Sequence, residues 1–290
     1  MWLSRYTKLL VVATFFLVIA GGLVTSTRSG LAVPDWPLSY GKLMPPMVGG
    51  VRFEHTHRLI ASLVGLLTFI LTFWIGFSEK RGWVRKAGIL AFGMVVAQGI
   101  LGGLTVLYLL PPPISITHGC LAQTFFAFTI CIAYFVSTEW KNGFPFKKTD
   151  LTILKKILIL TVALIYFQLI LGATFRHTGN RYVLIPHIVG AFLVLIHTVM
   201  VLMFTSKNMP DEKKMVRLAI FLALIAVVQI SLGMGAFVFS VMLQDSVMGP
   251  GSGKVFFVTA HQTLGALLLG TAVFFALRVF RIERLSYAVR

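Results

Sequence analysis

The sequence predicts an all-α integral membrane protein whose eight transmembrane helices form two repeated four-helix bundles. Three observations carry that expectation. The 290 residues are 57% hydrophobic and only 12% charged, roughly half the charged share of an ordinary soluble domain. Apolar stretches of the length that crosses a bilayer, about 20 residues, recur at 8–27, 57–77, 87–107, 117–138, 152–174, 183–205, 216–240 and 255–280. Lipid-facing backbone must satisfy its own hydrogen bonds, so each stretch is expected to be helical. Finally, polar residues inside these stretches repeat: His57 to Gln98 is 41 residues, and His187 to Gln229 is 42. That spacing predicts parallel repeats of four helices each, a first half over 1–145 and a second over 146–290, with Lys141 to Asp150 as the polar join.

Taken in order, span 1 follows Arg5 and Lys8 and ends in Ala20-Gly21-Gly22. Its apolar run exceeds the roughly 7–15 residues of a secretory signal and no A-x-A cleavage site follows, so it is read as a span. The segment 28–56 is the longest outer loop; its prolines, glycines and Trp36 predict an ordered lid on the membrane surface. Span 2 opens on Glu54-x-x-His57-Arg58. Span 3 carries Gln98-Gly-Ile-Leu101-Gly102-Gly103, span 5 Gln168-Leu-Ile-Leu171-Gly172-Ala173, and span 7 Gln229-Ile-Ser-Leu232-Gly233. Such small residues let helix backbones approach one another or a flat ligand; close packing accounts for the glycines better than for the repeated glutamine. Spans 4, 6 and 8 open near His118, His187 and His261. Cys120 and Cys131 share span 4; a helix separates them by about 16 Å, too far for a disulfide, so they read as packing residues. His55 and His177 are expected at the interface, and His197, on another face of span 6 from His187, in a structural role.

The formal net charge is +17, and nineteen of the 26 basic residues fall in the loops and termini on one side of the alternating spans. Arg28, Lys42, Arg52, Arg58, Arg176, Arg181 and Lys254 lie on the other. The positive-inside rule then places both termini in the cytoplasm of a multi-pass plasma-membrane protein. The basic excess is a topology and lipid-headgroup signal rather than a nucleic-acid one. With four helices per repeat, both halves keep one orientation, so His57, His118, His187 and His261 all fall at the outer, periplasmic ends of their helices.

Imidazole is poorly placed beside hydrocarbon unless something binds it, which makes these four histidines functional candidates. They are expected as two pairs, His57 with His118 and His187 with His261. Zinc is one possible ligand, but the close Cys/His spacing of structural zinc sites is absent. Haem iron takes axial imidazoles from facing helices, and its apolar ring suits a helix bundle. Arg58, Arg176 and Arg181 lie at the level where propionates would need cations; snorkelling to the interface is the competing reading. Glu54 lies three residues before His57, on the same face if the helix begins early, where it serves either as a proton shuttle or as an end-of-helix carboxylate. Asp35 and Asp245 are the other outer acids considered.

At these residues the chain resembles the haem A synthase family, membrane enzymes that convert haem O to haem A for cytochrome oxidases. The likeness lies in Gly21-Gly22, Pro34-Asp35-Trp36-Pro37-Leu38 with Tyr40-Gly41, Glu54-x-x-His57-Arg58, His118-x-x-Leu121-Ala122-Gln123, Gly172-Ala173 with Arg176-His177-Thr178-Gly179, His187 and Ala260-His261. The resemblance implies that His57 and His118 hold substrate haem O and that His187 and His261 hold a permanent haem B that relays electrons. It implies that the C8 methyl is oxidised twice, through an alcohol and a geminal diol, to a formyl group, with Glu54 as the essential acid. An electron acceptor outside the chain, contact with the haem O synthase that supplies the substrate, and self-association are further partners to consider. Two departures stand out. Many members have cysteines where this chain has Val33 and Ser39, so no thiol chemistry operates in that loop. Many also continue the span-6 histidine with arginine, where His187 is followed here by Ile188 after a shortened loop. The alternative classes are a di-haem electron carrier and a haem transporter or chaperone without chemistry. Carriers of the cytochrome b type place two histidines about 13–14 residues apart on one helix; His187 and His197 are closer than that.

Overall fold

The computed structural model describes residues 2–143, 150–243 and 249–288, with side chains up to residue 282. Among these residues it is helical apart from loops and isolated bridges such as that between Ser39 and Lys42. The helices are α1 (Trp2–Ser26), α2 (Val51–Ser78), α3 (Gly82–Leu107), α4 (Pro112–Phe135), the short α5 (Thr138–Asn142), α6 (Thr152–Thr178), α7 (Arg181–Asn208), α8 (Lys213–Phe237) and α9 (Ser252–Ala288). Eight of the described helices are long and apolar enough to cross a membrane, and the last turns of α8 run on as a π-helix over Val238–Met242.

The four-plus-four arrangement appears as two closed rings. In the first, α1 packs on α2, α2 on α3, α3 on α4 and α4 back on α1; in the second the same circuit runs α6, α7, α8, α9. Each ring has its own apolar core, Leu10, Leu71, Ile75 and Ile132 in the first and Leu154, Leu158, Met215, Leu222 and Phe275 in the second. The rings meet through α1, α4, α6 and α9. There Val18, Phe126 and Ala266 form a third cluster. Gly270 brings α9 so near α4 that a Cβ would lie 2.5 Å from Ile130 Cδ1.

The helices start earlier than the apolar runs suggest. His57, His118 and His187 are each the seventh residue of their helices, and His261 is the tenth of α9. Hydropathy marks only the part of a helix inside hydrocarbon, while the preceding turns carry Glu54, Pro112 or Arg181. At the opposite end, α5 ties the halves together. Ser137 caps it by accepting from Trp140 N at 3.1 Å, and Glu139 takes Arg278 of α9 in a two-pronged pair at 2.7 and 3.0 Å. Nearby, Glu79 pairs with Arg81 at 2.6 Å, and the guanidinium holds its carboxyl down at about 2. Of the sequence's polar join, 141–143 and Asp150 are described; 144–149 lie outside the described residues.

Candidate functional site

Each of the four histidines sits against a glycine of the helix before it. A Cβ on Gly21 would lie 3.1 Å from His57 Cε1, one on Gly102 3.4 Å from His118 Cε1, one on Gly172 3.0 Å from His187 Cε1, and one on Gly233 2.9 Å from His261 Cε1. The glycines near the ends of α1, α3, α6 and α8 thus give the imidazole edges a seat that a methyl group would fill. All four seats lie at one end of the molecule. Arg176, near the end of α6, donates there to Gln262 of α9, to Ser26 Oγ at 2.9 Å and to the Gly22 carbonyl at 3.3 Å on α1.

The second-half pair is well defined. The rings of His187 and His261 are 6.1 Å apart between centroids and inclined at 85°. Two imidazoles on opposite sides of one metal, with bonds of about 2 Å and roughly 1.1 Å from nitrogen to ring centre, place the centroids about 6 Å apart. In the first half, His57 and His118 lie within electrostatic reach of each other.

The repeated glutamines act on the histidines. Gln229 Nε2 donates to the His261 carbonyl at 3.0 Å, while His261 Nδ1 stands 3.1 Å from the Gln229 carbonyl. Gln98 Nε2 likewise donates to the His118 carbonyl at 3.0 Å. The Nδ1 atoms of His118 and His187 are buried and make no hydrogen bond. A ring nitrogen directed at a carbonyl favours the tautomer with its proton there, which leaves Nε2 as the lone-pair donor for a metal. This task of the glutamines could not be read from one sequence, because the partner sits on the next helix.

The loop before α2 is ordered by residues of α2. Glu54, 3% exposed, accepts from Val33 N at 2.9 Å and pairs with Arg58 at 2.6 Å. Arg58 also donates to the carbonyls of Asp35 and Leu38, both at 2.7 Å, and of Val33 at 3.3 Å. Positive φ at Tyr40 and Gly41 (54° and 66°) turns their N–H groups onto the Asp35 carboxylate at 2.7 and 2.8 Å. Those two bonds, Gly41 foremost, hold the Asp35 carboxyl below its ordinary range. Trp36 lies over Gly103, where a Cβ would come within 2.8 Å of the indole, one residue beyond the seat of His118. The loop expected as a lid therefore reaches α3 next to the seat of His118.

His55 is buried inside the protein: it is 4% exposed, with Nδ1 2.8 Å from Ser39 Oγ. A loop that folds back over α2 buries it, and no periodic pattern signals such a fold. His177 is half-buried at the end of α6, and His197 Nδ1 lies 2.8 Å from the Leu193 carbonyl of its own helix. Arg181 begins α7 at the exposed surface. Asp245 lies outside the described residues.

The model of the cytochrome oxidase assembly protein family COX15-CtaA matches residues 51–187, a stretch that contains Glu54, His57, His118 and His187. Among curated proteins, the chain is 28% identical over 189 residues to a heme A synthase of Exiguobacterium sibiricum, covering 62% of this chain and 61% of that protein. It is 27% identical over 225 residues to one from another Exiguobacterium strain, covering 71% and 74%. It is 30% identical over 192 residues to one from Lysinibacillus sphaericus, covering 62% and 61%.

Proposed function

Proceeding from the chain's place as a relative of the heme A synthases in the cytochrome oxidase assembly family, we propose that it converts haem O to haem A. The first half, 1–145, is the substrate half, with His57 and His118 holding the haem O iron. The second half, 146–290, holds haem B between His187 and His261. The observation that carries this reading is the His187–His261 geometry, 6.1 Å between centroids at 85°, together with the glycine seat repeated under all four rings. When bound, haem B supplies a one-electron relay. The net change is oxidation of the C8 methyl to a formyl group, which takes oxygen from water and gives up four electrons and four protons. The electrons leave to an acceptor outside this chain.

The chain's own residues orient, exclude and protonate. The imidazoles fix the ring of the substrate and the glycines seat the imidazoles. Glu54, between Val33 N and Arg58 and three residues from His57, is the carboxylate placed to take a proton at Oε1 or Oε2 beside the substrate ring. The Trp36 lid keeps bulk water from the first-half pair. Arg176, bound to three neutral acceptors and to no carboxylate among the described residues, is a cation suited to a propionate. Arg181 is a further candidate at the exposed edge, and Arg58 is largely committed to the loop. The basic bias of the opposite loops supports cytoplasmic termini and an outward-facing haem end in the plasma membrane. The haem O synthase upstream and self-association complete the proposed partners.

Extraction and side-chain analysis of the pigment formed by the purified protein supplied with haem O and an electron acceptor tests this reading. A formyl-bearing haem is expected, and haem B alone, unaltered, would mean a carrier or chaperone. His57→Ala and Glu54→Ala are expected to abolish haem A while most haem B remains, and His261→Ala to lose the haem B spectrum. Full turnover in either of the first two variants removes the catalytic assignment.

A further inference from the structure

The seat of His57 differs from the other three in the residue behind its glycine. One helical turn before the glycine stands Gln98 in the seat of His118, Gln168 in that of His187 and Gln229 in that of His261. In the seat of His57 the corresponding residue is Leu17. Gln229 and His261 make the complete reciprocal latch, amide to carbonyl one way and ring to carbonyl the other. Gln98 makes the amide half of it with His118. The Gln168 amide fills the space over Gly190, three residues past His187, where a Cβ would lie 1.7 Å from its Nε2. Leu17 instead packs in the apolar core of the first half, so that neither an amide nor a ring bond ties His57 to α1; its Nδ1, like those of His118 and His187, is buried without a hydrogen-bond partner.

A second observation points to the same histidine. The turns of α2 around His57 are fastened to the 28–50 loop rather than to α1. Glu54 takes Val33 N, and Arg58 donates to three loop carbonyls. When the loop lifts, α2 loses those bonds on both sides of His57, and no glutamine holds the ring from behind.

Resting on the haem reading above, we propose that His57 is the releasable axial ligand through which the substrate haem enters and leaves. Gln98, Gln168 and Gln229 are positioning residues that keep the other three imidazoles fixed. The asymmetry suits the two halves: a substrate must be exchanged at every turnover, and a permanent cofactor must not.

The test is haem transfer to excess apomyoglobin from the full chain loaded with haem O and haem B, followed by absorbance. Two phases are expected in the unsubstituted protein, with the fast one absent in His118→Ala. Leu17→Gln supplies the missing amide and should slow the fast phase about tenfold, the effect of one well-made hydrogen bond to the ligand turn. Gln229→Leu should speed the slow phase by a similar factor and shift the midpoint potential of the retained haem, which a loss of packing alone would not do. A fast phase within twofold of the original in Leu17→Gln, with both haems still low-spin, overturns the proposal. Should Leu17→Gln fail to fold, an unchanged slow phase in Gln229→Leu overturns it equally. Absence of any bis-imidazole spectrum in the unsubstituted protein would refute the haem reading itself, and is seen before exchange is measured.

Discussion

Replacing Gly233 by alanine puts the seat geometry to a quantitative test. The added Cβ would lie 2.9 Å from His261 Cε1 and 3.2 Å from its Nδ1. Non-bonded carbons rest at about 3.5–4.0 Å, so the ring must retreat by roughly 0.6 Å or more, or α8 and α9 must part. Metal–ligand distances tolerate only about ±0.2 Å. Gly233→Ala is therefore expected to lose low-spin haem from the second half. Gly102→Ala is the control, because its Cβ would stand 3.4 Å from His118 Cε1 and needs almost no movement. Helix propensity favours alanine over glycine by about 0.5–1 kcal/mol, while overpacking costs about 1–3 kcal/mol. Gly233→Ala should accordingly cost no more than about 2.5 kcal/mol of fold stability. Reduced-minus-oxidised spectra, haem content per chain and a thermal melt in detergent measure all three quantities. Full low-spin haem in Gly233→Ala, or equal losses in both variants, would refute the reasoning.

Further outcomes follow from the ties around the site. Arg58→Leu strips Glu54 of its cation and three carbonyls of their donor, at a cost toward the lower end of about 3–5 kcal/mol for breaking a buried pair; limited proteolysis should then cut within 28–50 where the original resists. Arg176→Gln removes the charged donor that bridges α6, α1 and α9, and a melting temperature lower by several degrees is expected, about 1–3 kcal/mol. Glu79 has a folded-state pKa near 2 against an ordinary 4.5, so its contribution is fully present above about pH 4.5 and fades as pH falls toward 2. Melts of Glu79→Gln and the original should therefore converge over that interval, and a constant gap would exclude the pairing as the cause.

Much of the scaffold was legible in the sequence because hydrocarbon imposes a simple pattern. Spans 1 to 8 became α1–α4 and α6–α9, and the histidine and glycine periods appear as one seat repeated four times. The turns that precede the apolar runs were less visible, since hydropathy is silent on a helix that begins among polar residues. Contacts made by the loop were not legible at all. Nothing in the order of residues says that His55 would be buried against Ser39, or that Arg58 would face backbone carbonyls. Those pairings depend on how a non-periodic segment folds back onto α2. The glutamines were visible as a recurrence, and their task emerged only with the adjacent helix in place.

The two anchor points Val33 and Ser39 are fastened to neighbouring residues of α2, one through Glu54 and the other through His55. A clasp made of an amide proton and a hydroxyl has no oxidised and reduced forms. Diamide or dithiothreitol should leave the mouth of the first half unchanged, and the two thiols of the chain, Cys120 and Cys131, are buried in α4.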